Sequence, residues 1–186
     1  MSAWSLKLAV QSIVSGGVVA YPTESVFGLG CDPFNPYAVD RLLQLKSRSA
    51  SKGLILIVNE YAQIETWCSH LDDLQRARIK KKYTHSKTWV IPDADHKMPP
   101  WIRGCFNSFA VRIVDHPIAA ELCRQVGGPI VSTSANLSGW NPARNTLHVR
   151  KQFGLGLDYI VSGSVGGQRA PSEICDVVSG RVFRSG

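Results

Sequence analysis

Three short stretches of this 186-residue chain gather side chains able to hold anions and small polar substrates. The first, Tyr21-Pro22-Thr23-Glu24-Ser25-Val26-Phe27-Gly28-Leu29-Gly30-Cys31-Asp32, joins hydroxyls and a carboxylate to two permissive glycines at the end of an apolar run. The second, Lys46-Ser47-Arg48 with Lys52, sets three cations within seven residues. The third, Ser132-Thr133-Ser134-Ala135-Asn136-Leu137-Ser138-Gly139, is a hydroxyl-rich turn directly after an apolar strand. Small donors there can hold phosphate oxygens or a carboxylate without bulk. Each stretch also has a plainer reading. Thr23 and Glu24 can cap a turn, Lys46 and Arg48 can complement a helix dipole, and Ser134 and Asn136 can satisfy a tight turn.

Other chemistries are pruned by what is missing. There is no GxxxxGK[ST], and Gly28-Leu29-Gly30 lacks the third glycine of a dinucleotide fingerprint. Ser49-Ala50-Ser51-Lys52 matches SxxK, but its companion KTG is lacking, so the match reads as chance. No HExxH and no clustered His, Asp and Glu suggest a catalytic metal, and the five histidines are dispersed.

The elements that must position these stretches follow from periodicity. Leu6, Ala9, Val10, Ile13 and Val14 recur at helical spacing and stop at Gly16-Gly17. Val18–Tyr21 reads as a buried strand, with Pro22 turning the chain into a loop. Asn35-Pro36 starts a helix carrying Ala38, Val39, Leu42 and Leu43 and ending in Lys46-Ser47-Arg48. Leu54–Val58 is a continuous apolar strand, expected at the centre of the sheet. A helix is expected over 71–82, ending in Lys80, Lys81 and Lys82, with strands at Thr88–Ile91 and Phe109–Ile113. Asp115 can cap a helix closed by Gly127-Gly128, and Pro129–Ser132 is the next strand. A helix near Leu147–Phe153 then precedes strands around Tyr159–Val161, Ile174–Val178 and Val182–Arg184. Helices and strands interleave without a linker or repeat, which predicts an α/β fold: a single domain spanning 1–186, one mixed sheet with flanking helices. Polar strand ends are where such a sheet binds its ligand.

Twenty-one Lys and Arg against fourteen Asp and Glu leave a net charge of +7 and a pI near 9.3. That sign favours polyanionic partners such as nucleotides, pyrophosphate or RNA. Five scattered cysteines without a CxxC pair suggest neither a zinc cage nor a disulfide framework, and they fit a reducing cytosol. The N-terminus has no leader pattern, and no apolar run reaches the length of a membrane span, so a soluble cytoplasmic protein is expected.

Taken together, the three stretches resemble the YrdC/TsaC family, from the first helix to Arg184. The glycine stretch is similar to that family's PTET-YGLGCD region, Lys46-Ser47-Arg48 to its KxR, and Ser134-Ala135-Asn136 to its SxN followed by Leu137-Ser138-Gly139. Ala110-Val111-Arg112 and Pro171-Ser172-Glu173-Ile174-Cys175-Asp176 fall in the family's order, and the length is that of its short form. The resemblance implies a twisted α/β fold with a basic concave face. It also implies an L-threonylcarbamoyladenylate synthase, a nucleotidyltransferase acting on L-threonine, bicarbonate and ATP. Downstream threonylcarbamoyl-transfer enzymes would then modify tRNA. Carried onto this sequence, it implies Lys46 and Arg48 as catalytic cations on the triphosphate, with Lys52, Ser108, Ser134, Asn136 and Arg184 completing the ATP site. Thr23, Arg112, Ser132 and Ser172 would hold threonine, with Arg112 on its carboxylate. The chemistry implies Mg2+ carried by ATP, with no protein-only metal site.

The sequence departs from the family at two places. Tyr83-Thr84-His85-Ser86-Lys87-Thr88 replaces a WPGP-T segment, keeping only its threonine, and Ser49 replaces the proline after KxR. Loss of two prolines and a glycine predicts a looser loop beside the site. Two other readings remain. One is a non-catalytic module binding double-stranded RNA or tRNA, supported by net charge and the lysine run 80–82. The other is a carbamoyl-transfer domain of hydrogenase-maturation type, whose usual companion modules are lacking here.

Overall fold

The computed structural model describes residues 3–186; Met1 and Ser2, part of the expected 1–186 unit, lie outside them. Helix α1 (Ala3–Val14) hands over through Gly16, at φ 83°, to strand β1 (Val19–Pro22), and β2 (Phe27–Gly30) returns beside it. Helix α2 (Pro36–Lys46) starts where Asn35 accepts hydrogen bonds from the Tyr37 and Ala38 amides. A 3-10 turn (Ala50–Lys52) leads to β3 (Ile55–Val58), and a second 3-10 stretch (Tyr61–Cys68) leads to α3 (Asp73–Lys80). Then come β4 (Lys87–Pro92), α4 (Pro100–Arg103), β5 (Ser108–Ile113), α5 (Pro117–Val126), β6 (Ile130–Ser134) and α6 (Thr146–Phe153). Three short strands close the chain: β7 (Tyr159–Ile160), β8 (Glu173–Asp176) and β9 (Val182–Arg184).

The strands form one mixed sheet in the order β7-β1-β2-β6-β3-β5-β4-β8-β9, with β3 in the middle, as its uninterrupted apolar run predicts. Its neighbours differ in direction: β3 runs parallel to β5 and antiparallel to β6. Side chains alternate across the sheet, so each strand serves two different environments. Ala20, Phe27, Leu29, Leu56, Val58, Val131, Val111, Trp89 and Cys175 point to one face. There α2, α3, α6 and the second 3-10 stretch bury them with Leu42, Ile64, Ile79 and Val149. On the other face Val19, Tyr21, Ile57 and Ile130 pack under Leu6, Ala9 and Ile13 of α1 and Leu122 of α5. That cover reaches only part of the face. Ile55, Ser132 and Ala110 lie in register on the same side beyond it.

Local sequence explains most element ends. Helix α3 is shorter than expected, because Asp72 and Gln75 form a reciprocal capping box at one end and the chain turns extended at Lys81 at the other. The cap of α5 is His116 rather than Asp115: the His116 ring accepts the Ile118 amide hydrogen, while the Asp115 amide is taken by Glu24 Oε1. Strand β2 was hidden by its glycines, which disfavour a strand. The Tyr21 ring lies across them, and a Cβ on Gly30 would sit 2.4 Å from Val131 O and 2.8 Å from Tyr21 Cε1.

Candidate active site

The partly covered face carries the chemistry. Register places Gly28 opposite Ser134 and Ile55 opposite Ser132, and Ser108, Ala110 and Arg112 alternate to the same side of β5. Three adjoining cavities open there. One of about 190 Å3 is bordered by Thr23, Arg48, Arg112, Ser132, Ser172 and Arg184. A polar one of about 170 Å3 is bordered by Lys46, Arg48, Lys52, Ser134 and Asn136. A larger one of about 530 Å3 runs between Ser108, Lys52 and Arg184 and is walled by Ile102, Phe106 and Phe183. Each residue expected to hold ATP or threonine thus borders one of these adjoining cavities, and Arg48 borders all three.

The KxR geometry depends on the end of α2. Ser47 caps the helix in the left-handed region, at φ 49°, and its amide bonds back to Gln44 O and Leu43 O. That reversal leaves Lys46 on the inner face of the last helical turn and sets Arg48 among the three cavities. Lys46 is buried and donates from Nζ to Ser134 O and, at 2.8 Å, to Asn136 O. It therefore ties α2 to the SxN turn while one ammonium hydrogen remains for a ligand. Burial, and then the neighbouring Arg48 charge, lower its pKa to about 8. Arg48 donates to Gly53 O at 2.9 Å, and its buried Nε has no hydrogen-bond partner. Burial lowers its pKa as well.

Ser49 fills the place of the family's proline by capping the 3-10 turn, accepting from the Ser51 amide at 3.3 Å. Next to that turn Gly53 and Gly104 meet back to back, both at positive φ; a Cβ on Gly104 would lie 2.4 Å from Gly53 N. This close approach sets Lys52 against the start of β3. In the SxN turn, Ser134 Oγ donates to Asn136 Oδ1 at 2.6 Å, and Asn136 Nδ2 donates to Leu137 O and Trp140 O. The Asn136 side chain and the single Ser134 hydroxyl hydrogen are thus both engaged in shaping the turn, and the Lys46 ammonium closes it from α2.

At the other end Thr23 donates its hydroxyl to Val26 O at 2.7 Å, closing the β1–β2 turn. Ser172 Oγ shares a hydrogen with Thr88 Oγ1 at 2.8 Å, and Arg184 Nη2 donates to Ser172 O at 2.7 Å. Arg112 is almost enclosed, and its Nη2 lies 3.6 Å from Glu24 Oε2. Its Nε is buried without a partner.

The Tyr83–Lys87 segment, expected to be loose, is tied down by other means than prolines. Tyr83 Oη donates to Arg78 O, Ser86 Oγ donates to Gln168 Oε1, and Lys87 pairs with Glu173 at 2.6 Å while lying over the Tyr83 ring. The lysine run sits elsewhere: Lys80, Lys81 and Lys82 border a separate cavity, with Lys80 over the Tyr61 ring. The Glu24 carboxylate, part of the first polar stretch with turn capping as its plainer reading, faces Arg112, a pairing that no local pattern could reveal.

Among the described residues no group of His, Cys, Asp and Glu is arranged to hold a metal ion, and no helix is long and apolar enough to cross a membrane. Comparison with known proteins agrees with the geometry. The family model Sua5/YciO/YrdC, described as telomere recombination, matches residues 11–186. The threonylcarbamoyl-AMP synthase of Cellvibrio japonicus is 50% identical over 97% of each chain, and that of Nitrosococcus oceani 48% identical over 97% of each. A crystal structure of P. abyssi Sua5 complexed with L-threonine superposes with a TM-score of 0.87 at 29% identity. It matches over 95% of this chain and 52% of its own. E. coli YciO, 21% identical over 92% of this chain and 82% of its own, shares the fold with a TM-score of 0.76. The chain belongs to the Sua5/YciO/YrdC family.

Proposed function

We propose that this protein is an L-threonylcarbamoyladenylate synthase, a nucleotidyltransferase that makes threonylcarbamoyl-AMP and pyrophosphate from L-threonine, bicarbonate and ATP. The observation that carries the reading is the continuity of the three cavities through Arg48, with cations and small donors at one end and an almost enclosed arginine among serines at the other. The naming of relatives about 50% identical along the whole chain supports it.

The amine of threonine and bicarbonate condense to a carbamate with loss of water. A carbamate oxygen then attacks the α-phosphorus, and the bond to the bridging oxygen of pyrophosphate breaks. Nucleophile and triphosphate are both anionic, so the site must offset their repulsion while fixing an in-line approach. Arg48 and Lys52 meet the phosphates, Lys46 contributes charge and holds the SxN turn, and the Ser134 hydroxyl turns its hydrogen from Asn136 to a phosphate oxygen when ATP binds. The nucleoside extends into the apolar cavity beside Ser108, Phe106 and Phe183, with Arg184 at its rim. Arg112 takes the threonine carboxylate, with Thr23, Ser132 and Ser172 around the rest of the molecule. No side chain acts as a covalent nucleophile. Mg2+ enters as MgATP, part of the substrate. Residues 1–186 act as one YrdC-like unit, whose product passes to enzymes that modify tRNA.

The comparisons do not favour a non-catalytic RNA-binding module. The test is pyrophosphate release by the purified protein with threonine and bicarbonate each supplied and omitted. Release that needs both is expected; release needing neither, or none from folded protein, contradicts the reading.

A further inference from the structure

Glu24 sits beside the site without bordering its cavities. It is 6% exposed, and its Oε1 accepts hydrogen bonds from the Asp115 amide at 3.0 Å and the His116 amide at 3.4 Å, ahead of the first turn of α5. Its backbone is fixed too, since Glu24 O accepts from the Gln168 amide and Thr23 O from the Gly166 amide. The remaining oxygen, Oε2, is buried, lies 3.6 Å from Arg112 Nη2 and has no hydrogen-bond partner. Arg112 Nε is in the same condition. A largely enclosed guanidinium and a buried carboxylate, each with a buried unpaired polar atom, are costly unless their charges answer each other. One oxygen of Glu24 is anchored by the helix start, and the other is thereby aimed at Arg112.

From this geometry we infer that Glu24 is a positioning residue for threonine: it holds the Arg112 guanidinium so that its remaining donors face the substrate carboxylate. The inference rests on the threonine-dependent reaction proposed above. Arg112 stands on β5 in the part of the site it shares with Thr23, Ser132 and Ser172, where its side chain is 11% exposed. With a neutral partner the guanidinium would lose the counter-charge that sets its orientation. An amide would also present a donor to a donor. The proposed ATP contacts on Arg48, Lys52 and the SxN turn make no hydrogen bond or ion pair with Glu24 or Arg112.

The test is Glu24→Gln, comparing KM for threonine and for ATP in pyrophosphate release, with threonine binding followed by calorimetry. A rise of about tenfold or more in threonine KM is expected from breaking a buried charge pair. KM for ATP should stay within about twofold. A folded variant with unchanged threonine KM, or with both constants moved equally, overturns the inference. If Glu24→Gln does not fold, Glu24→Asp keeps the charge but withdraws Oε2, and is judged by the same split. Wild-type protein without threonine-dependent release would overturn the proposed function itself, so the two failures are distinguishable.

Discussion

Neighbouring residues of the central strand lead opposite lives. Leu56 is fully buried under helices on the closed face, whereas Ile55, one position earlier, floors the site on the other. The same alternation separates Val131 from Ser132 on β6 and Val111 from Arg112 on β5. One face is covered by α2, α3, α6 and the second 3-10 stretch and is mainly apolar, with the Lys87–Glu173 pair towards its edge; the other is covered by α1 and α5 over part of its length and carries serines and arginines over the rest. The division of labour is thus set by the two-residue period of a strand, with stability assigned to one parity and chemistry to the other.

If so, substitutions on the two faces should fail in different ways. Arg48→Ala should have the largest effect, lowering kcat/KM by about a thousandfold. Its unfolding free energy should change by no more than about 1 kcal/mol, because the side chain makes one hydrogen bond to the fold. Steady-state kinetics beside a denaturant titration reads both quantities. Leu56→Ala should do the reverse, removing about 2–5 kcal/mol of stability through a core cavity while the folded fraction keeps its kinetic constants. A Leu56→Ala protein that is stable but inactive would break the separation between the faces.

Smaller effects sharpen the picture at the end of α2. Burial has moved the Lys46 pKa down to about 8, so the free enzyme loses that proton as pH rises through this value. The charge offered to the triphosphate is then present below pH 8 and lost above it. kcat/KM for ATP should fall by about tenfold per pH unit beyond that point, measured at saturating threonine and bicarbonate. The stability consequence has the opposite sign. A lysine with a lowered folded pKa binds fewer protons folded than unfolded, so its contribution grows as pH rises from about 8 towards the ordinary lysine value. Smallest of all, Ser47→Gly should stabilise the protein by about 0.5–1 kcal/mol, because only the left-handed cap is relieved. Activity should be unchanged; a loss would give the Ser47 hydroxyl, which borders the polar cavity, a role in the site.

Much of this was legible from the chain. The apolar run at Leu54–Val58 announces a central strand, and the ordered KxR and SxN segments announce a site. Their convergence could not be read from either one alone, because Lys46 meets Ser134 O across 88 positions of sequence. Three features escaped for physical reasons. Strand β2 contains glycines that local propensity assigns to a loop, and the Tyr21 ring and the Val131 carbonyl crowding them explain the choice. Glu24 looks like a turn residue until α5 and β5 are folded against it. The Tyr83–Lys87 segment lacks the prolines that would have stiffened it, and its ties to Gln168 and Glu173 are tertiary.

The most direct test of one continuous two-ended site is a crystal structure with L-threonine and a non-hydrolysable MgATP analogue bound together. The account predicts the triphosphate against Arg48, Lys52 and the Ser134 turn, and the threonine carboxylate on Arg112, with the amine between them facing the α-phosphate. Either ligand on the Lys80–Lys82 surface, or a threonine carboxylate away from Arg112, would contradict it.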